Sequence, residues 1–251
     1  IPVGVPLQKP DFRPDIQALA EAITPATRVL LLNSPHNPSG IVFNREELSA
    51  IASIVIEHEL IVISDEAYEH LWFDSHIHIP ISTLPGMFER TITIGSGGKS
   101  FSFTGWKVGW ASGPQSLISA VKAVRQHLSY VSGGPFQLAI ACGLGLPDQY
   151  FNEIRHGLSA KRDQLSAGLE HIGMRVIPTE GTYFVTTDIS PIGFTDGFEF
   201  ARMLAKKCQV IAIPHQVFTE SGQDFKEYVR WAFCKKPEVL AEATTRIRTI
   251  F

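Results

Sequence analysis

The sequence predicts an α/β protein in which a large domain with a mostly parallel sheet is followed by a smaller α+β domain. Apolar runs of strand length alternate with segments of helical spacing, which is typical of parallel strands covered on both faces. After a long helical region, the pattern changes to shorter strands accompanied by two helices. We therefore assign residues 1–150 to the large domain and residues 151–251 to the small one.

The elements of the first part follow from periodicity and capping. A helix is predicted over residues 15–23, and a strand follows at 28–33. Asn44 and Glu47 have the spacing of a capping box, so a helix begins there and ends near residue 59. Its inward face carries Leu48, Ile51, Ala52 and Val55. Further strands are predicted at 60–65, 91–96 and 108–111.

The second part begins with a helical region that extends from residue 115 to residue 172, and the last helix in it starts at residue 150. Beyond it, apolar runs of strand length alternate with two amphipathic segments. The predicted strands are 175–177, 182–186, 209–213 and 228–233, and the predicted helices are 198–206 and 237–247.

The composition argues against several classes of protein. Apolar residues make up 44% of the 251 residues, which is too many for a disordered chain. The formal net charge is −3 and no run of Lys and Arg occurs, so a nucleic-acid partner is not expected. No apolar stretch reaches the roughly 18 residues of a membrane helix. The three cysteines are widely spaced and odd in number, which is typical of a reducing compartment and predicts a cytoplasmic protein.

Polar residues gather directly after three of the predicted strands, at 33–40, 65–68 and 96–107. In open α/β sheets, ligands bind at the carboxyl ends of the strands. Each cluster alone also has an ordinary structural explanation as a turn, a helix cap or a solvated loop. Because all three follow successive strands, we expect them to share one edge of the sheet and to form a site.

The third cluster has the clearest chemistry. Gly97 and Gly98 precede Lys99 and allow the backbone to approach a ligand closely, while nearby aromatic residues provide partly dry surroundings. A lysine amine in such a place can lose its proton and form a Schiff base with a carbonyl. Ser96 and Lys107 supply a hydroxyl and a cation suited to a phosphate, and the spacing is not that of a Walker loop.

Together these clusters resemble the class I/II aminotransferases, which are pyridoxal-phosphate enzymes of fold type I. The motifs that carry the resemblance are Asn33-x-Pro35-x-Asn37-Pro38-x-Gly40, Asp65-x-x-Tyr68, Ser96-x-x-Lys99 with Lys107 eight residues further on, and Tyr228-Val-Arg230-Trp-Ala-Phe. Their order and separations match over nearly the whole chain. Two segments, 34–38 and 105–110, most resemble actinobacterial N-succinyldiaminopimelate aminotransferases and the related kynurenine/glutamine aminotransferases.

The resemblance implies pyridoxal 5′-phosphate as the cofactor and three catalytic residues. Lys99 would form the Schiff base and then move the proton at the substrate Cα. Asp65 would face the pyridine nitrogen and favour its protonated form, because a nearby carboxylate stabilises a cation. Tyr68 would donate a hydrogen bond to the ring oxygen, as would Asn37.

The remaining implied roles concern the phosphate and the substrate. Ser96 and Lys107 would hold the phosphate. Many relatives carry arginine where this chain has Lys107; the lysine keeps the positive charge but lacks the bidentate guanidinium. Arg230 would bind the substrate α-carboxylate, with Asn37 beside it. The implied partners are an amino acid, a 2-oxo acid and a second copy of the chain in a homodimer, with no metal, nucleic acid or membrane.

Several residues keep a second interpretation on sequence context alone. Arg230 is either the substrate ligand or a strand arginine in a surface ion pair. Tyr183 either lines the substrate pocket or belongs to the core of a strand. His36 either borders the substrate or only shapes its turn. His76 and His78 form the one close pair of histidines, but no third ligand stands at zinc spacing.

The function also has alternatives. The leading hypothesis is transamination between an amino acid and a 2-oxo acid. The same machinery supports β-elimination from cysteine conjugates. A third hypothesis is a regulatory module in which an aminotransferase-like domain senses the cofactor, and a fourth is an inactive fragment.

The start of the chain adds one expectation. In the family a long segment precedes the Asn33 turn, with a Gly-rich phosphate loop and an aromatic that stacks on the cofactor, whereas 32 residues precede it here. We therefore expect the chain to correspond to the C-terminal two-thirds of a subunit. Taken alone, it is expected to bind cofactor weakly or not at all and to lack turnover.

Overall fold

The computed structural model describes residues 1–131 and 133–251 and contains two four-stranded sheets. The first has the order β1-β2-β3-β4, with strands Val29–Asn33 (β1), Ile61–Asp65 (β2), Thr91–Ser96 (β3) and Gly109–Ser112 (β4). The first three are parallel and β4 is antiparallel to β3. The predicted mostly parallel sheet is confirmed.

The register brings the three polar clusters to one edge of this sheet. Asn33, the last residue of β1, pairs with Asp65, the last residue of β2. Asp65 in turn pairs with Ile94, so Ser96 lies two residues further along β3 in the same direction. The carboxyl ends of the three strands, and the turns that follow them, therefore lie at a common edge.

Helices α1 (Ile16–Ala22) and α2 (Arg45–Glu57) accompany this sheet. The Asn44 side chain accepts a hydrogen bond from the Glu47 N–H at 2.8 Å, and the Glu47 carboxylate accepts one from the Asn44 N–H at 2.8 Å. This is the predicted capping box, and it satisfies two N–H groups that would otherwise lack partners. All four apolar residues predicted to face inward from α2 are buried.

Three helices of the described ranges connect the two sheets, and a single helical turn lies within the first. A single turn, α3 (Gly97–Ser100), follows β3, and three longer helices follow β4. These are α4 (Gln115–Leu128), α5 (Gly134–Leu144) and α6 (Asp148–His171). They agree with the helical region expected from the sequence. Within the described part of the chain, no helix combines the length and the apolar character needed to cross a bilayer.

The second sheet is antiparallel throughout and has the order β5-β6-β8-β7. Its strands are Arg175–Ile177 (β5), Phe184–Asp188 (β6), Ile213–Pro214 (β7) and Tyr228–Ala232 (β8), accompanied by helices α7 (Gly197–Lys207) and α8 (Pro237–Arg248). This matches the α+β pattern expected for the second part. The boundary at residue 150 stays a prediction.

Two strands differ from the prediction. The strand expected at 182–186 begins at Phe184, because Thr182 has a left-handed backbone with φ of 68°. The strand expected at 209–213 is wrong except for its last residue: Gln209 has φ of 54° and Ile211 is 75% exposed, so this apolar run lies outside the sheet.

One hydrophobic core joins the two sheets. Leu32 and Val62 of the first sheet are buried in the same cluster as Ile177, Phe225 and Tyr228. A second cluster lies between the antiparallel sheet and helices α6, α7 and α8. Because the two sheets share a core, residues from both can contribute to one site.

Candidate active site

The turn after β1 is held by the side chain of Asn33. Its Nδ2 donates to the Asp65 carbonyl at 2.8 Å, and its Oδ1 accepts from the Asn37 N–H at 2.9 Å. His36 Nδ1 lies 2.7 Å from the Ser39 hydroxyl, and burial lowers the pKa of His36 to about 4. His36 is therefore neutral near pH 7 and stabilises this turn. The turn positions Asn37.

Asn37 contacts the arginine predicted to bind substrate. Arg230, in the middle of β8, donates from Nη1 to Asn37 Oδ1 at 2.6 Å. Its guanidinium carbon contacts two aromatic rings, 4.0 Å from the centroid of Phe184 and 4.7 Å from that of Phe218. Burial lowers the pKa of Arg230 from its ordinary value. Across the described ranges Arg230 forms no ion pair, so the alternative of a surface ion pair is not supported.

Asp65 and Tyr68 lie together in the turn after β2. The Asp65 carboxylate accepts a hydrogen bond from the Ala67 N–H at 3.1 Å, which fixes its orientation. Tyr68 is buried and packs edge-to-face against Tyr183, with ring centroids 5.3 Å apart. Burial, followed by the proximity of Tyr183 and a hydrogen bond to it, raises the pKa of Tyr68. Tyr68 therefore keeps its proton and can donate a hydrogen bond.

Lys99 extends from the turn after β3 toward these two tyrosines. Its Nζ donates to the Tyr183 hydroxyl at 2.8 Å and lies 5.6 Å from the ring centroid of Tyr68. The structure therefore brings Tyr183 into the site, a position the sequence left open. Tyr183 was not among the predicted site residues, and the only signal for it was its place after a Gly-Thr pair in a predicted strand.

A small polar cavity of about 200 Å³ opens beside Lys99. Its walls carry two hydroxyls and two amines. They are formed by Ser96, Gly98, Lys99, Thr104, Lys107, Val108 and Gly109. A Cβ added to Gly98 would stand 3.0 Å from the Cα of Thr104, so a side chain here would narrow the cavity. Hydroxyls and amines around a small volume are suited to a phosphate or another small anion.

The aromatic residues of this cluster pack against other rings. Phe103, Trp106 and Phe136 stack in series with ring centroids 4.7 Å apart, and Phe101 is buried against Phe151. Lys107, which follows Trp106, has a left-handed backbone with φ of 53°.

The close pair of histidines does not converge on a common point. His78 Nε2 lies 2.8 Å from a carboxylate oxygen of Glu66, whereas His76 Nδ1 lies 3.6 Å from one of Glu180. Among residues 1–131 and 133–251, no group of three or more His, Cys, Asp or Glu is arranged to hold a metal ion.

Lysine, tyrosine and aspartate at the carboxyl edge of a mostly parallel sheet, facing an arginine from an antiparallel sheet, define the arrangement of a pyridoxal-phosphate transferase of fold type I. A model of the family "Aminotransferase class I and II" matches residues 2–247. The chain belongs to this family.

Individual relatives share the same class. A protein of Mycobacterium tuberculosis named probable N-succinyldiaminopimelate aminotransferase DapC is 46% identical over 259 residues, covering 99% of this chain and 65% of the relative. Human kynurenine–oxoglutarate transaminase 3 is 38% identical, covering 98% of this chain and 61% of the relative.

Solved structures agree with this fold. The N-succinyldiaminopimelate aminotransferase of M. tuberculosis superimposes with a TM-score of 0.93 at 45% identity, covering all of this chain and 64% of that one. YbdL of Escherichia coli, described as having a methionine aminotransferase function, gives a TM-score of 0.91 at 34% identity, with 97% and 63% covered. The chain thus spans slightly less than two-thirds of the length of these relatives.

The cofactor of this family is pyridoxal 5′-phosphate, and the residues present fit it. The cavity beside Lys99 has the volume and the donors for a phosphate, with Ser96 and Lys107 on its walls. Asp65, Tyr68 and Asn37 supply a carboxylate, a phenol and an amide at the edge of the same sheet. These groups match the charges of a pyridinium and a phenolic oxygen.

Proposed function

We propose that this protein is a pyridoxal-phosphate-dependent aminotransferase that moves an amino group between an amino acid and a 2-oxo acid, with Lys99 as the residue that binds the cofactor covalently. The proposal rests on two side-chain contacts that join the two sheets. Lys99, which follows β3, contacts Tyr183, and Asn37, which follows β1, contacts Arg230. Both contacts lie at the carboxyl edge of β1, β2 and β3.

The cofactor-binding residues divide by chemistry. Ser96 and Lys107 would hold the phosphate through a hydroxyl and a cation. Asp65 would face the pyridine nitrogen, where its carboxylate would favour the protonated ring. Tyr68 and Asn37 would donate hydrogen bonds to the phenolic oxygen. The bound cofactor supplies an electron sink for the negative charge that develops at the substrate Cα.

The protein groups then bind the substrate and move its proton. Arg230 binds the α-carboxylate through its guanidinium. The rings of Phe184 and Phe218 pack beside the guanidinium and fix its orientation. The Lys99 amine contacts the Tyr183 hydroxyl, and it takes the proton from Cα and returns it during transfer. Buried Tyr68 keeps water away from one side of the amine.

The finer features of the proposal come from the relatives and the fold. The similarity to the M. tuberculosis protein supports N-succinyldiaminopimelate as the amino donor or product. We also propose a cytoplasmic homodimer. The two four-stranded sheets support a division into domains at 1–150 and 151–251.

Reductive trapping tests the central assignment. Borohydride added to the protein with pyridoxal phosphate should leave a pyridoxyl group on Lys99, identified by peptide mass spectrometry. Lys99→Ala should abolish the label, whereas Lys122→Ala, which removes an exposed lysine from α4, should leave it in place. A pyridoxyl group on another lysine, or an unchanged label in Lys99→Ala, would refute the assignment.

A substrate panel tests the reaction. N-Succinyldiaminopimelate, kynurenine, glutamine and methionine are each offered with a 2-oxo acid, and the amino product is measured. Release of pyruvate and ammonia from a cysteine conjugate, without dependence on a 2-oxo acid, would favour β-elimination instead. Because these 251 residues taken alone are expected to lack turnover, the panel is run on a subunit of the relatives' full length. If that subunit is labelled on Lys99 but turns over none of these donors, the proposed reaction is contradicted.

A further inference from the structure

Tyr183 connects Lys99 to the rest of the site. Its hydroxyl accepts a hydrogen bond from Lys99 Nζ at 2.8 Å, and its ring packs edge-to-face on Tyr68. Burial lowers the pKa of Arg230, and the nearby Tyr68 and Tyr183 partly offset this effect. The geometry points to Tyr183 as a positioning residue for Lys99: its hydroxyl sets where the lysine amine stands. This inference rests on the proposed role of Lys99.

The backbone conformation of Thr182 determines the direction of the Tyr183 side chain. Thr182 has φ of 68°, a conformation in which β-branched residues are rare and which the surroundings must enforce. Its N–H donates to the Leu71 carbonyl at 2.9 Å, and its hydroxyl accepts from the Phe184 N–H at 3.1 Å. Thr182 is fully buried. These bonds fix the turn from which Tyr183 projects.

Gly181, which precedes Thr182, packs this turn closely against the first sheet's turns. A Cβ on Gly181 would stand 2.7 Å from the Leu71 carbonyl oxygen, 2.8 Å from a methyl of Val42 and 3.0 Å from the Pro35 Cβ. Only glycine allows this close approach. The Tyr183 turn is therefore pressed against the turns that follow β1 and β2. The Lys99 acceptor is thus anchored to the elements that carry Asn37 and Tyr68.

Two further contacts hold the Lys99 amine near Tyr183. The Nζ lies 5.4 Å from the Tyr183 ring centroid and 5.6 Å from that of Tyr68, within the range of cation–π attraction. These ring contacts survive when the hydroxyl alone is removed. A Tyr183→Phe variant therefore isolates the contribution of the hydrogen bond from that of ring packing.

The first test uses protein without cofactor. An amine-reactive acetylating reagent is applied at fixed pH, and the rate of labelling at Lys99 is followed by peptide mass spectrometry. Modification requires that the Lys99–Tyr183 hydrogen bond break, and a hydrogen bond to a charged group shifts an equilibrium about tenfold or more. We expect Tyr183→Phe to label about tenfold faster. Tyr150→Phe, which alters a tyrosine packed against Phe101 and Phe151, should label at the unmodified rate.

The second test uses the protein loaded with cofactor. Tyr183→Phe should lower kcat about tenfold while the KM for the amino acid changes less than about twofold, because the carboxylate contact of Arg230 is intact. Equal thermal unfolding of the two proteins excludes a general loss of structure. Unchanged Lys99 labelling and unchanged kcat in Tyr183→Phe would overturn the inference.

The two proposals fail separately. If borohydride traps the cofactor on Lys99 but Tyr183→Phe behaves as the unmodified protein, only the role of Tyr183 is wrong. If no cofactor is trapped on Lys99, the proposed function fails, whereas the acetylation rate still reports on the Lys99–Tyr183 contact.

Discussion

Phe218 offers a sharp test of how Arg230 is held. The Arg230 guanidinium carbon lies 4.7 Å from the Phe218 ring centroid and 4.0 Å from that of Phe184. Phe218→Ala removes one of the two rings and leaves both the charge and the bond to Asn37. A cation–π contact contributes about 0.5–1 kcal/mol when exposed and about 2 kcal/mol when desolvated. For this half-buried arginine we take about 1 kcal/mol.

That energy predicts a specific kinetic pattern. About 1 kcal/mol corresponds to roughly a fivefold weaker hold on the substrate carboxylate. Because the carboxylate is bound equally in the ground state and the transition state, KM should rise about fivefold with kcat nearly unchanged. Steady-state kinetics over a range of amino-acid concentrations measures both constants.

The chain offers a matched control. Phe198 is 39% exposed, against 43% for Phe218, and lies beside Arg202 at 6.0 Å, away from the site. Phe198→Ala should leave KM and kcat unchanged, and both variants should lose little stability because both rings are partly exposed. If Phe218→Ala lowers kcat at constant KM, or has no effect, the two rings do not position the Arg230 fork.

Two predictions concern stability. Asn44→Ala removes the capping box of α2 and should lower the free energy of unfolding, measured in urea titrations, by about 1 kcal/mol. The control Glu46→Ala, at an exposed position of the same helix, should change that free energy by less than about 0.5 kcal/mol. Equal effects of the two substitutions would contradict the role of the cap. Burial raises the pKa of Glu69 to about 7 from 4.5, so the folded protein binds more protons than the unfolded chain between these values and loses stability as pH rises through them. Glu69→Gln should abolish this loss, worth about 1 kcal/mol at pH 8 after discounting for solvent screening; identical pH dependence in both proteins would contradict it.

The sequence was most informative where a local rule decides the structure. The capping box at Asn44 and the four buried residues of α2 follow from side-chain spacing alone. The strands ending at Asn33 and Asp65 follow from apolar runs closed by turn residues. Because parallel strands align their carboxyl ends, the common edge of the polar clusters was predictable before any contact was known.

Local rules failed where long-range contacts override propensity. Thr182 reads as a strand residue, yet contacts with Leu71 hold it in a left-handed conformation that starts β6 later than expected. The apolar run that includes Ile211 reads as a strand but lies outside the sheet. The Lys99–Tyr183 hydrogen bond joins residues 84 positions apart, and no spacing rule reaches that far.

The same long-range contacts explain why the site uses both sheets. Tyr183 directly precedes β6 and Arg230 lies in β8, and these strands are paired, with Thr186 opposite Arg230. The groups that contact Lys99 and Asn37 are therefore carried by one rigid pair of strands, while Lys99 and Asn37 follow β3 and β1 of the other sheet. A shift of one sheet relative to the other would alter both contacts at once. It follows that the position of the lysine amine and the position of the carboxylate-binding arginine are set together. A substitution in the shared core, such as at Tyr228, the first residue of β8, should therefore disturb both rather than either alone.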